Sequence, residues 1–560
     1  MLGSEGLASD GLRGAMNGWP LQLRASRRGG RSTVRASGPV RLDEIPTDWP
    51  LPMWLQNRLH GTTQVAVETE FGGSAPPLLT LRTDLVGAAV ALPPPLAKPV
   101  EQARRTLLRY RPRARTLELA YDRALGLSAQ RLGTPQQRLA LHFGSDRLAP
   151  SPAEGLWIDG SLPTLHLGAW LDLLEDMRGG ATTPAQGDGG EPPAPDFGGL
   201  SLALGGLRYQ GQLWPQVNLQ VLRSGESWLI NLDGESLQGQ LLATRDGQGR
   251  GAFAGQFERL DWRFAPPEST AAATDEEGRA AAPARGVAET LPQAAEAPAL
   301  DLRVSRFRLN DEDLGPLTLA LRPSGGGTAI ETLRIGGDTT PQLALSGRLQ
   351  PEGGAASTLR FEIDVDDADP WLRALGYAGQ LRAEQLSAEG GLMWRRPEDL
   401  AALRLNGHVR FDLDEGRLVS VDPGAGRLLG LLSVTALPRR FLLDFSDLTD
   451  SGLAFDSLSG SYALEEGVAR TDNLRINGPS VRVEARGEVD LVQRVQDQRV
   501  TIYPGISHGL TAAATVLGGP AVGLFMLFAQ ELLDKPLDQV GQISYRLSGP
   551  LDNPQVEPLQ

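Results

Sequence analysis

Residues 481–491 read VRVEARGEVDL. Val481, Val483, Ala485, Val489 and Leu491 fall on one phase of a period of two, and Arg482, Glu484, Arg486, Glu488 and Asp490 on the other. Successive side chains of a strand point to opposite faces, so this pattern demands a sheet with one apolar and one charged face. It recurs along the chain. Leu359, Phe361, Ile363 and Val365 alternate with Arg360, Glu362 and Asp364. Val409, Phe411 and Leu413 alternate with Arg410 and Asp412, and Val217, Leu219 and Val221 with Gln216, Asn218 and Gln220. Similar runs occupy residues 63–71 and 115–121. Gly-Gly-Gly at 325–327, Asp-Glu-Gly at 414–416 and Asn-Gly-Pro at 477–479 are read as the turns between runs. One-sided alternation with frequent turns predicts a mostly β chain built on antiparallel sheet.

Two stretches break the pattern. Residues 179–198 and 264–299 are rich in Ala, Pro, Gly and Glu. Neither carries enough apolar residues to bury a core, so both are read as disordered linkers. They divide the chain into expected β segments at 1–178, 199–263 and 300–504, followed by a closing region at 505–560. The length of 560 residues would otherwise suggest roughly three to four domains. Helices are expected in few places: at 101–110, from an Asp369 N-cap and Pro370 to Leu375, at 426–437 and at 520–535.

Charge excludes one class of partner. The 54 basic and 68 acidic residues leave a net charge of −14, the wrong sign for nucleic acid. With no cysteine there is no disulfide framework, no thiolate metal site and no thiol nucleophile. The N-terminus has no apolar segment of the signal-peptide kind, and the chain is expected to begin inside a longer protein.

Three motifs offer chemistry, and the context of each argues against it. Residues 505–509, GISHG, have the G-x-S-x-G form of a hydrolase elbow. That fold needs an acid and then a histidine downstream, and the only histidine after Ser507 is its neighbour His508. Gly424, Gly426 and Gly430 approximate a dinucleotide loop with Asp444 further on, but Pro423 precedes them and no βαβ repeat surrounds them. Asp364, Asp366, Asp367 and Asp369 lack the glycine and closing glutamate of a calcium loop. The five histidines have no paired metal spacing. No metal, cofactor or catalytic constellation is expected.

Residues 510–529 carry no charge and are long enough to cross a bilayer. Gly518-Gly519-Pro520 interrupts them where a helix would break. The piece after the break would span only ~14 Å as a helix. A helix pair that closes the end of the sheet or dips into one leaflet is expected, with Leu524, Phe525 and Phe528 making its apolar contacts.

Several long stretches resemble a known family. TDLVGAAVALPPPLAKP (residues 83–99), GLWIDGSLPTLHLGAWLDLL (155–174), residues 389–448 and residues 452–491 resemble the YhdP branch of AsmA-like proteins. The resemblance implies an elongated, highly curved antiparallel sheet folded like a taco around a continuous hydrophobic groove. It implies phospholipid transport between the inner and outer membranes of a Gram-negative envelope, in support of the outer-membrane permeability barrier. Full-length members are anchored in the inner membrane with a long periplasmic body. This chain resembles their C-terminal half and lacks the anchor.

Elementary energetics agree with that implication. A diacyl lipid exposes about thirty methylenes, which in water costs on the order of 20 kcal/mol. A carrier must replace that contact along the whole path, and needs no chemistry to do so. A curled sheet with its apolar face inward does this, and about 25 strands at ~4.8 Å would make a path of roughly 120 Å. On this reading Val217, Leu219, Val221, Leu359, Phe361, Ile363, Val365, Val409, Phe411, Leu413, Val481, Val483, Val489 and Leu491 line the groove. Phospholipid, both membranes and an envelope protein are the expected partners. Two alternatives remain: an assembly factor for outer-membrane proteins acting through its sheet edges, and a serine hydrolase built on GISHG.

Overall fold

The protein is described from a computed structural model. It covers the chain except residues 1, 4–5, 17, 29, 46–52, 73–75, 180–195, 246–248, 264–296, 338–340, 351–354, 376–380, 397–398, 400–402, 419–452, 480, 505–541, 552–553 and 560. The fold is mostly β, and the chain divides into two compact units, Met1–Arg245 and Asp246–Gln560. Each unit is one long, curved, open sheet in which nearly every strand pairs with its neighbour in sequence. Register shifts recur within both sheets, as between Ser9 and Leu12 and between Thr471 and Leu474. Such bulges bend a strand and increase its twist, which curves a sheet.

Local chemistry explains the long hairpins. The strands Glu312–Ser324 and Gly327–Gly336 are joined by Gly325 and Gly326, with φ of 58° and 85°. Two successive residues in the left-handed region make the tight turn that matches strand twist, and glycine takes it without strain. The charged faces pair across strands. Arg410 faces its register partner Glu389 at 3.8 Å, Arg470 faces Glu488 at 3.1 Å, and Arg35 faces Glu68 at 2.9 Å. The hydrogen bond from Arg35 holds the Glu68 carboxyl below its ordinary range.

Antiparallel pairing is interrupted at defined joints. Arg138–Phe143 lies parallel to Gly155–Leu162, which lies parallel to Phe197–Tyr209, and Gly251–Trp262 lies parallel to Ala299–Leu309. Parallel neighbours need a long return connection. The alanine- and proline-rich stretches at 180–195 and 264–296, which lie outside the described residues, fall in two of these returns. In the joint within the first unit, His142 and Asp159 are register partners. Nδ1 of the buried imidazole meets the Asp159 carboxylate at 2.5 Å, and Nε2 meets the Ala149 carbonyl at 3.0 Å. Both ring nitrogens are engaged in holding the joint.

Three local expectations differ from the structure. The helix expected at 101–110 is instead the strand Thr106–Arg111, paired with Leu78–Thr83. Leu108 and Tyr110 share one face of this strand, and six residues are too few to set a helical stripe. Asp-Glu-Gly at 414–416 is no turn but a kink within the strand Asn406–Leu418, with Glu415 at φ 46°. The short helix runs Ala368–Ala374, so its N-cap is Asp367, and Asp369 and Pro370 lie in its first turn. There Asp369 complements the positive end of the helix dipole. Trp371 and Leu372 of this helix are buried, and Arg373 clamps Glu312 through two hydrogen bonds of 2.9 and 3.0 Å. Among the described residues, no helix is long and apolar enough to cross a membrane.

An unbroken apolar face as the candidate functional site

The register of each sheet lines up side chains across strands as well as along them. In the first unit Leu12, Leu23, Ala36, Val67, Leu81, Leu108, Leu119, Leu127, Leu141, Ile158, Leu200, Val221, Ile230 and Leu241 are successive Cα partners, one from each of fourteen strands. Every one is aliphatic. At about 4.8 Å between strands, this row runs roughly 60 Å across the sheet. It is also open. Leu12 is 56% exposed, and the other thirteen are all half-buried. A structural core would bury such residues, so an aligned row of half-open aliphatic side chains is a surface with unused apolar contact.

The second unit repeats the device. Phe253, Leu300, Leu321, Ile330, Gly347, Leu359, Leu392, Gly407, Leu464, Ala469 and Val489 are successive partners in eleven strands. A second row takes Leu345, Phe361, Gly390, Val409 and Tyr462 through the same strands, and a third takes Leu343, Ile363, Ala388, Phe411 and Gly460. Gly390 makes room for a ring. A Cβ there would stand 2.7 Å from Cζ of Phe361, whereas one on Gly460 would meet Cδ1 of Leu474 first, at 3.1 Å. Rings laid over glycine keep the face smooth.

Exposure changes along this face. Leu359, Phe361, Ile363, Val409 and Phe411 are half-buried. Past the strand Asn406–Leu418 the inward positions close: Leu458, Ala469, Val489, Val500 and Leu547 are all 0% exposed. Ile330, Leu349, Trp394, Leu405, Tyr462, Ala469, Val489 and Leu491 belong to one core cluster, against which Leu359, Val409 and Phe411 also pack. Burial alone pushes the Tyr462 hydroxyl well above its ordinary value.

Among the described residues no group of acids and histidines could hold a metal ion. GISHG and the residues Leu524, Phe525 and Phe528 lie outside the described residues, as do the helices expected at 426–437 and 520–535.

A family model described as YhdP protein matches residues 2–556. The chain belongs to the YhdP family. It is 30% identical, over 206 residues, to the "Intermembrane phospholipid transporter YhdP" of Escherichia coli (strain K12). That stretch covers 36% of this chain and 16% of the relative. No solved structure matches the chain.

In this YhdP-family chain, most of the alternating residues singled out from sequence fall into rows of register partners. Leu359 and Val489 belong to the first row of the second unit, Phe361 and Val409 to the second, and Ile363 and Phe411 to the third. Val365, Leu413 and Val483 belong to a fourth row, joined through Leu386, Leu458 and Ile476. Leu491 follows the strand Val481–Asp490 and lies in the core cluster. Val481 shares the phase of Val483 and is the register partner of Pro504. In the first unit Val221 is in the long row, with Leu219 and Val217 buried beside it. Reading single strands missed most of the fourteen-residue row, because several of its strands are only six residues long and show too few alternations. It also missed Gln496 and Gln498. Their signal was present: they occupy the inward phase of VQDQRVTI, ahead of Val500 and Ile502.

Proposed function

We propose that this chain is a non-enzymatic segment of a phospholipid conduit between the inner and outer membranes of a Gram-negative envelope. The observation that carries the reading is the half-buried aliphatic row of the first unit. Family membership and the printed function of the Escherichia coli relative support the same reading. Acyl chains lie along the apolar rows as along the floor of a groove, and the ion-paired outer faces meet water. Each methylene kept in apolar contact avoids about 0.8 kcal/mol of exposure, so a lipid can advance in small steps without leaving the face. The half-open members of these rows are the lining, among them Val221, Leu359, Phe361, Ile363, Val409 and Phe411. Transport of this kind forms and breaks no covalent bond, so it needs neither a catalyst nor a cofactor. The chain works on the periplasmic side of the envelope and supports the outer-membrane permeability barrier.

The test places a photo-crosslinking amino acid at Phe361 and Phe411, and separately at the outward Glu362 and Asp412, in cells. Phospholipid adducts at the two Phe positions and none at the acidic positions are expected. Protein adducts at the Phe positions, with no lipid, would overturn the reading in favour of an assembly factor whose apolar face is an ordinary interface.

A further inference from the structure

The first row of the second unit is apolar or glycine from Phe253 as far as Val489, and its next member is Gln496. One step inward along the same strand, Gln498 follows Gly487 in the neighbouring row. Gln496 is 4% exposed and Gln498 1%. Neither the amide nitrogen nor the amide oxygen of either side chain has a hydrogen-bond partner among the described residues. A buried amide without partners is costly, more so beside the fully buried Val489, Val500 and Leu547. Two such amides side by side, interrupting otherwise apolar rows, call for a ligand that satisfies them.

There is room beside Gln496. The other register partner of Gln496 is Gly549, which is half-exposed at φ 86°. Among the described residues, a Cβ built on Gly549 would meet nothing nearer than Cγ of Gln555 at 4.0 Å. Gln496 therefore stands between a closed apolar face on one side and an open strand margin on the other. An amphiphile fits that boundary, with its polar end between Gln496 and Gly549. Amide nitrogens donate and amide oxygens accept, and a neutral amide favours no net charge. The matching ligand group carries acceptors, such as ester and phosphodiester oxygens, and also a donor.

We propose that Gln496 and Gln498 form a polar station for the head of a phospholipid, and that they favour headgroups carrying a hydrogen-bond donor, such as ethanolamine or glycerol, over choline. This rests on the phospholipid reading above. The nitrogens take the ester or phosphodiester oxygens, and the oxygens take the headgroup donor. Choline has no donor and leaves an amide oxygen unsatisfied.

The test incubates the purified full chain with vesicles of equal parts phosphatidylethanolamine, phosphatidylglycerol and phosphatidylcholine, and measures the bound lipid by mass spectrometry. Wild type is expected to carry both donor-bearing lipids at about threefold to tenfold over phosphatidylcholine, the ratio one retained hydrogen bond supports. The double variant Gln496→Leu/Gln498→Leu is expected to carry lipid without that preference and to melt no lower than wild type, because apolar replacement removes unsatisfied amides. Equal preference in both proteins, or none in either, overturns the station and leaves the conduit standing. Wild type that binds no lipid overturns the conduit and the station together. If the double variant melts lower, Gln496→Leu alone decides: unchanged preference overturns the station, and lost preference supports it.

Discussion

The ring of Phe361 lies over Gly390 on the adjacent strand, and the two are register partners. A Cβ on Gly390 would come within 2.7 Å of both the ring and the His408 carbonyl oxygen. The backbone cannot yield there without breaking pairing. Gly390→Ala is therefore expected to destabilise the second unit by about 1–3 kcal/mol, as overpacking does. Gly391→Ala is the control, since among the described residues its Cβ would meet nothing closer than 3.4 Å. Denaturant midpoints of the two variants check this, and equal midpoints would contradict the packing.

A charge in the long row of the first unit should block passage while sparing the fold. Leu200 is half-buried in the row, and Ala203 is exposed on the opposite face. Leu200→Asp puts a carboxylate where acyl chains would lie, at a cost of several kcal/mol to any lipid passing it. Lipid adducts at a crosslinker on Val221 are expected to fall at least tenfold. Ala203→Asp is expected to leave them unchanged. Equal effects from both substitutions would argue that the row is not the path.

Lys98 is 2% exposed and donates from Nζ to the carbonyls of Ala88 and Pro99, the latter at 2.8 Å. Burial lowers its pKa from 10.5. The unfolded chain therefore binds more protons between the lowered value and 10.5, so stability rises with pH across that window. Lys98→Met leaves two carbonyls without their donor and is expected to cost about 1–3 kcal/mol at neutral pH. It should also flatten the alkaline rise, which thermal melts at pH 7 and above would show.

Arg546 donates to both carboxylate oxygens of Asp497 at 2.8 Å, which holds that carboxyl below 3.8. A lowered carboxylate stabilises the fold above its unfolded pKa and loses that contribution as pH falls through the folded value. Acid titration of the melting midpoint below pH 4 should be shallower for Asp497→Asn than for wild type. Both partners are about half exposed, so the difference should be small and shrink further in high salt.

Much of this was legible in single strands. Alternation in VRVEARGEVDL identified a charged face and an apolar face, and the strand Val481–Asp490 has both. The glycines at 325–327 read as a turn, and Gly325 and Gly326 make one. What misled were short signals. Thr106–Arg111 is too brief to assert its period against a nearby run of arginines. Asp-Glu-Gly at 414–416 has turn chemistry, yet pairing on both sides keeps it within a strand.

The sequence by itself determined which side of each strand is apolar, because that phase is a property of consecutive residues. The tertiary structure decided which apolar residue stands opposite which. Leu12 meets Leu23, and Leu141 meets Ile158, only through the registers that turns, bulges and parallel joints impose. A one-residue slip at any joint would turn a strand's apolar side to water, so the apolar rows and the two glutamines that interrupt them belong to the pairing of strands.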